Sequence, residues 1–284
     1  KKITVTNCQF QPKCGDKAYN LNKVSEMLEG VRTDLILLPE FFSTGISHEA
    51  FKNFPEDENG GDTINFLRNL AIKLDANIIC GSVIERVSGK SYNTSFALNR
   101  KGETVGKYRK IHLFNCFGGT EHKRITAGEK IVTADLDIGK IGMAICFDIR
   151  YPQLFAELKR NGAELFVCPT AWGYHSEFEK NMDWLTVWKA MNVARSNENI
   201  TPLISANQVG SNGNGFTLIG NSIITDKTGK ILSNIRCNHS HRVPKIIRRQ
   251  SFSFSRFIAR FCCHIFIHIG KTCFNIHVQI HYHI

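Results

Sequence analysis

Ile141-Gly142-Met143-Ala144-Ile145-Cys146-Phe147-Asp148-Ile149-Arg150-Tyr151-Pro152 decides how the chain is read. Its first half is a short apolar run, as expected of a strand buried on both faces. Its second half is polar and turn-prone, and Pro152 suits the first turn of a helix that runs on to about residue 161. Strand, turn and helix in direct succession is the building unit of an α/β protein. Cys146 stands at the carboxyl end of that strand, where open α/β sheets place their chemistry. A thiol there is held rigidly and looks out over the sheet edge.

The same alternation extends outward in both directions. Upstream, residues 3–10 read as a strand and 18–28 as a helix that Asp16 caps. Residues 35–38 form a buried strand closed by Pro39-Glu40, and Gly60-Gly61-Asp62-Thr63 opens a helix to about residue 74. Strands follow at 77–84, 92–98 and 103–108, the last two joined by the turn at 99–102; 132–136 pairs with 140–146. Downstream come a strand at 164–168, a long helix at 179–197, strands at 203–208 and 216–225, and a hairpin turn at 226–230 into Ile231-Leu232. Mixed strand pairs with intervening helices predict an α/β fold of two packed sheets with helices outside. No internal repeat of solenoid length is present.

With 284 residues, 42% hydrophobic and 21% charged, the chain has the composition of a soluble globular protein and can bury a full core. No apolar run is long enough to span a membrane, and Lys1-Lys2-Ile3-Thr4-Val5 reads as a first strand rather than a signal peptide. Ten cysteines raise the question of disulfides. Cys8, Cys14, Cys80, Cys116, Cys146 and Cys168 lie mostly in or beside apolar runs, which predicts core thiols in a reducing cytoplasm.

Three residues stand at strand ends. Glu40 is followed by Phe41-Phe42; beside that apolar surface its carboxylate loses hydration, so its pKa rises toward that of a usable general base. Lys110, in Lys107-Tyr108-Arg109-Lys110-Ile111-His112-Leu113-Phe114, can aim its ammonium into a pocket and hold a thiolate or a developing oxyanion. Cys146 is then the nucleophile. Taken singly, each has a bland reading: a surface cap, a solvated lysine, an inert core thiol. The case rests on the combination.

The motifs Leu37-Leu38-Pro39-Glu40-Phe41-Phe42, Tyr108 to Phe114 and Gly142 to Pro152, in that order, resemble those of the nitrilase superfamily of carbon–nitrogen hydrolases. The resemblance covers about residues 3–235. It implies a four-layer α-β-β-α sandwich that forms a homodimer or higher homo-oligomer, with a Glu-Lys-Cys triad at Glu40, Lys110 and Cys146. It suggests Glu121, in Gly118-Gly119-Thr120-Glu121-His122, as a second glutamate beside the lysine; a surface loop acid is the alternative. The implied reaction forms a thioester on Cys146 and releases ammonia from a small linear amide, with Lys110 and the Phe147 amide holding the oxyanion. No metal and no cofactor is called for. The residues after the cysteine are similar to those of amidase and ω-amidase-like branches; N-carbamoyl compounds and nitriles are alternative substrates. Arg150 either pairs with a substrate carboxylate or anchors its loop to a nearby acid. Trp172 either lines the pocket or belongs to the core. His112, His122 and His175 have no paired partner in sequence and are read as structural. A rival of another class is an inactive nitrilase-like binding protein with a basic tail.

That tail, residues 236–284, differs from the rest. The whole chain holds 36 Lys+Arg and 25 Asp+Glu; the tail has 8 of the basic residues and none of the acids, so the preceding 235 residues carry +3 of the +11. A nucleic-acid partner, not expected of the body, could rest only on the tail. The tail also holds 7 of the 11 histidines and 4 of the 10 cysteines. Three readings stand: a shifted or mis-joined reading frame, a divergent basic tail for anionic partners, or a metal module using Cys237, His239, Cys262, Cys263 and His264. The hydrolase domain is therefore placed at 1–235, with 236–284 as an aberrant basic Cys/His-rich extension.

Overall fold

Aliphatic and β-branched runs form the centres of the sheets, and helices with one apolar face cover them. The computed structural model describes residues 2–175, 182–212, 215–235, 245–247 and 251–253. The chain runs β1 (Lys2–Gln9), α1 (Lys17–Leu28), β2 (Leu35–Leu37), α2 (His48–Asn53), α3 (Gly61–Leu74), β3 (Asn77–Ile79) and β4 (Val83–Val87). It continues through β5 (Lys90–Leu98), β6 (Thr104–Arg109), β7 (Thr133–Leu136), β8 (Gly139–Met143), α4 (Pro152–Arg160), β9 (Leu165–Thr170) and β10 (Gly173–His175). The remainder is α5 (Trp184–Asn199), β11 (Leu203–Asn207), β12 (Val209–Ser211), β13 (Phe216–Ile219), β14 (Ser222–Thr225), β15 (Ile231–Ile235), β16 (Lys245–Ile247) and β17 (Ser251–Ser253).

Two mixed sheets result. In the first, β1, β2 and β3 are parallel and β5 joins β3 antiparallel, with β4 and β6 both pairing β5. In the second, the parallel strands β8, β9 and β11 are central, flanked by antiparallel β7, β14 and β15. Leu35–Leu37 and Leu165–Thr170 are buried along their whole length, which is what a central parallel strand covered on both faces requires. The sheets meet through β1 and β2 against β11 and β14. Two polar side chains bond across that layer: Asn7 Nδ2 donates to the Ser205 carbonyl at 3.0 Å, and Gln9 Oε1 accepts from the Ser222 amide at 2.8 Å. α1 and α3 pack on the first sheet's outer side, α4 and α5 on the second's. The fold is the expected four-layer α-β-β-α sandwich.

Asp16 caps α1 by accepting from the Tyr19 amide at 3.0 Å, and Pro152 is the first residue of α4, both as expected. The predicted strand 77–84 is two strands. Gly81, at φ +54, turns the chain where a Cβ would lie 2.2 Å from the Pro39 carbonyl oxygen, so only glycine fits. The predicted strand 216–225 is also divided, by the turn at Gly220-Asn221. Its first half joins a small third sheet, β10-β13-β12, and its second half the main sheet. The helix predicted from 179 begins at Trp184; residues 176–181 lie outside the described residues.

The chain divides into two units, Lys1–Ser253 and Phe254–Ile284. β16 and β17 both pair antiparallel with β1, on the edge opposite β2. The readings placed on Cys237, His239, Cys262, Cys263 and His264 fall outside the described residues.

Candidate active site

Glu40, Lys110, Glu121, Cys146, Phe147, Arg150 and Trp172 all line one cavity of about 390 Å³ at the carboxyl ends of the central strands. The third sheet contributes Gly173, His175 and Phe216 to its wall.

Cys146 is not the last residue of its strand. β8 ends at Met143, and Cys146 opens a 3-10 turn, Cys146–Arg150, at φ +46. A left-handed backbone is strained for a residue with a Cβ, and it lifts the side chain out of the strand's alternation into the cavity mouth. The thiol is 7% exposed and lies beside the Glu40 carboxylate, whose charge acts on it. Glu40, 2% exposed, follows β2. Its Oε1 accepts from Lys110 Nζ at 2.9 Å and Asn93 Nδ2 at 2.8 Å; its Oε2 accepts from the Ala171 amide at 2.9 Å. Lys110, also 2% exposed, follows β6 directly and donates a second bond to Glu121 Oε2 at 2.9 Å. Glu121 is anchored by the Phe114 amide at 2.7 Å and by Asn93 Nδ2 at 3.1 Å. The ammonium is thus shared between two carboxylates, and a lysine's three donors leave one over.

Burial pushes the Glu40 carboxyl above the ordinary range, with the Lys110 charge opposing that shift. Burial alone would lower Lys110, but the Glu121 and Glu40 carboxylates outweigh it and hold its pKa well above the usual value. The Cys146 thiol lies well above its usual value, from burial first and the Glu40 charge second. The Lys110 ammonium, expected to face a thiolate or an oxyanion, is bonded to two carboxylates, Glu40 and Glu121.

Arg150 is half-buried, and its guanidinium lies over the rings of Trp172 at 4.8 Å, Phe117 at 5.4 Å and Phe147 at 5.5 Å. Among the described residues no acid pairs with it, and its buried Nε has no hydrogen-bond partner. Burial lowers its pKa. Trp172 answers to both of its readings: it lines the cavity and packs on Trp188, 5.4 Å between centroids.

Sequence reasoning missed Asn93, which ties both glutamates together, and Gln208, whose Nε2 donates to the Glu40 carbonyl at 2.6 Å. An inward amide in the alternating 92–98 strand was the available signal for the first. His112, read as lacking a partner, has one: its Nδ1 lies 2.7 Å from Asp148 Oδ1.

Solved structures share this architecture. A nitrilase-superfamily branch 10 protein from Saccharomyces cerevisiae superposes with a TM-score of 0.73 at 27% identity, covering 83% of this chain and 86% of that one. A CN-hydrolase superfamily protein from Xanthomonas campestris, solved with an arsenic adduct in its active site, gives 0.76 at 27%, covering 89% and 91%. The class is therefore the nitrilase superfamily. Residues 4–239 match the model of the carbon-nitrogen hydrolase family, and the chain belongs to that family. It is a carbon–nitrogen hydrolase, an enzyme of amide hydrolysis. Relatives include a protein named probable nitrilase in Schizosaccharomyces pombe, 33% identical over 81% of this chain and 83% of its own length. The 2-oxoglutaramate amidase of Bacillus subtilis is 30% identical over 82% and 86%.

Proposed function

We propose that this enzyme hydrolyses a small linear amide carrying a carboxylate, releases ammonia, and passes through a thioester on Cys146. The observation that carries this reading is the Cys146 thiol in one cavity with a buried glutamate, Glu40, whose two carboxylate oxygens are fixed by Lys110, Asn93 and the Ala171 amide. Glu40 takes the thiol proton as the sulfur attacks the amide carbon. The oxyanion is met by the remaining Lys110 donor and the Phe147 amide, which sits in the first turn of a 3-10 segment and so lacks an intrahelical acceptor. As the tetrahedral adduct collapses, Glu40 returns the proton to nitrogen and ammonia leaves. Water, deprotonated by Glu40, then attacks the thioester; the sulfur departs and recovers its proton from Glu40. Glu121 holds Lys110 between the two carboxylates throughout.

Arg150 supports the carboxylate. A cation in an aromatic cage, with no acid paired to it among the described residues, is suited to an anionic group brought by the substrate. The relatives named 2-oxoglutaramate amidase and omega-amidase lean the same way. The hydrolase domain of this reading is 1–235, acting as a homodimer in the cytoplasm. The six described cysteines are all free thiols, as a reducing compartment leaves them. No described helix is long and apolar enough to cross a membrane.

The test is an ammonia-release screen over ω-amides, N-carbamoyl compounds and nitriles, with Cys146→Ala beside the native chain. Turnover is expected with carboxylate-bearing ω-amides and none in the variant. Turnover confined to nitriles or carbamoyl compounds contradicts the substrate class, and full turnover in the variant contradicts the nucleophile.

A further inference from the structure

Asp148 lies two residues beyond Cys146 and lines no part of the cavity, yet its carboxylate is fully buried and carries four contacts. Its Oδ2 accepts from the Ile145 amide at 2.8 Å and the Tyr108 hydroxyl at 2.7 Å. Its Oδ1 accepts from the His112 amide at 3.0 Å and faces His112 Nδ1 at 2.7 Å. A carboxylate can only accept, so that ring nitrogen carries a proton. Two of these groups, Tyr108 and His112, stand on either side of Lys110. The other, Ile145, is the residue before Cys146. Burial, and then the Asp148 charge, push the Tyr108 phenol well up, which keeps it a donor. The His112 ring is stacked on Tyr151 at 3.6 Å, so the strut also reaches the end of the turn.

We infer that Asp148 is a positioning residue: its carboxylate binds the strained Cys146 turn to the segment carrying Lys110, and so sets the thiol against the Glu40–Lys110 pair. A left-handed, non-glycine residue persists only where its surroundings over-determine it. Here β8 has already ended, and the Ile145 amide is satisfied by Asp148 rather than by a neighbouring strand. Without that bond the turn can relax toward an ordinary backbone, which withdraws the sulfur from Glu40. Asparagine is no substitute. It offers one accepting and one donating end, and both ends of Asp148 face donors.

The inference rests on the catalytic reading above, so its test has a readout that does not need turnover. In Asp148→Asn and Tyr108→Phe, the rate of Cys146 alkylation by iodoacetamide is measured by peptide mass spectrometry, beside Tm and the kcat and KM of ammonia release. A displaced reactive group typically loses on the order of 100-fold in rate. The expected result is roughly a 10- to 100-fold loss of alkylation rate and kcat in Asp148→Asn and a smaller loss in Tyr108→Phe, with KM within about threefold. Wild-type alkylation and kcat in either folded variant, with only Tm lowered, overturns the proposal, as does a loss carried wholly by KM. If Asp148→Asn does not fold, Tyr108→Phe, which keeps the carboxylate, decides. Absent turnover in the native chain sinks the amidase reading, while the alkylation series still settles the role of Asp148.

Discussion

Glu40 is the residue on which the pH behaviour turns. In the proposed mechanism it is a base, a role that needs the ionised carboxylate, and burial raises its pKa above the ordinary glutamate range. Activity should therefore rise with pH through that raised pKa and be lost on the acid side. Glu40→Gln should lower kcat/KM by roughly 100- to 10,000-fold and abolish this acid limb, as a pH–rate profile will show. Lys110 stays charged well beyond neutrality and adds no limb nearby. Arg150→Ala should raise KM for carboxylate-bearing amides by roughly 10- to 100-fold while uncharged amides lose little, since a bond to a charged group is worth about 1.5–3 kcal/mol. Equal losses on both substrates contradict the carboxylate assignment. At this scale the sequence exposed Glu40, Lys110 and Cys146 because each sits in a local motif at a strand end. Asn93 and Asp148 were hidden because their partners lie 53 and 40 residues away.

Gly142 shows how tightly the element carrying Cys146 is held. A Cβ there would meet Phe166 Cδ1 at 2.9 Å, Ala163 Cβ at 3.0 Å and Leu158 Cβ at 3.2 Å, so β8 approaches α4 and β9 with no room left. Gly142→Ala should destabilise the fold by about 1–3 kcal/mol in denaturant melts, as overpacking does, with α4 displaced. An unchanged melt would show that α4 yields freely. Long periodic elements such as α1 and the buried β9 were legible because their apolar pattern is set by one covered face or two. β10 and β12 were not, because three residues are too few to show a period. The broken strands were misread for another reason. Gly81 and Gly220-Asn221 stand in apolar runs, and only the crossing backbone shows that the chain turns there.

At the scale of the molecule, the sandwich was legible because strands and helices alternate through residues 1–235, whereas the partner of the β1 edge was not. Residues 245–247 and 251–253 supply it, from a tail whose composition departs from the body. A chain ending at 253 keeps both strands and sets the reference melt. One ending at 235 leaves the β1 edge unpaired and should show a lower Tm and concentration-dependent aggregation. Equal melts for both would remove any stabilising part for β16 and β17. In the proposed mechanism Cys146 bears the acyl group during turnover. This is tested most directly by acid-quenching the enzyme with its best ω-amide and mapping the adduct by peptide mass spectrometry. The acyl mass is expected on Cys146, removed by hydroxylamine and absent without substrate. Undiminished turnover in Cys146→Ala, or an acyl adduct confined to another residue, would contradict it.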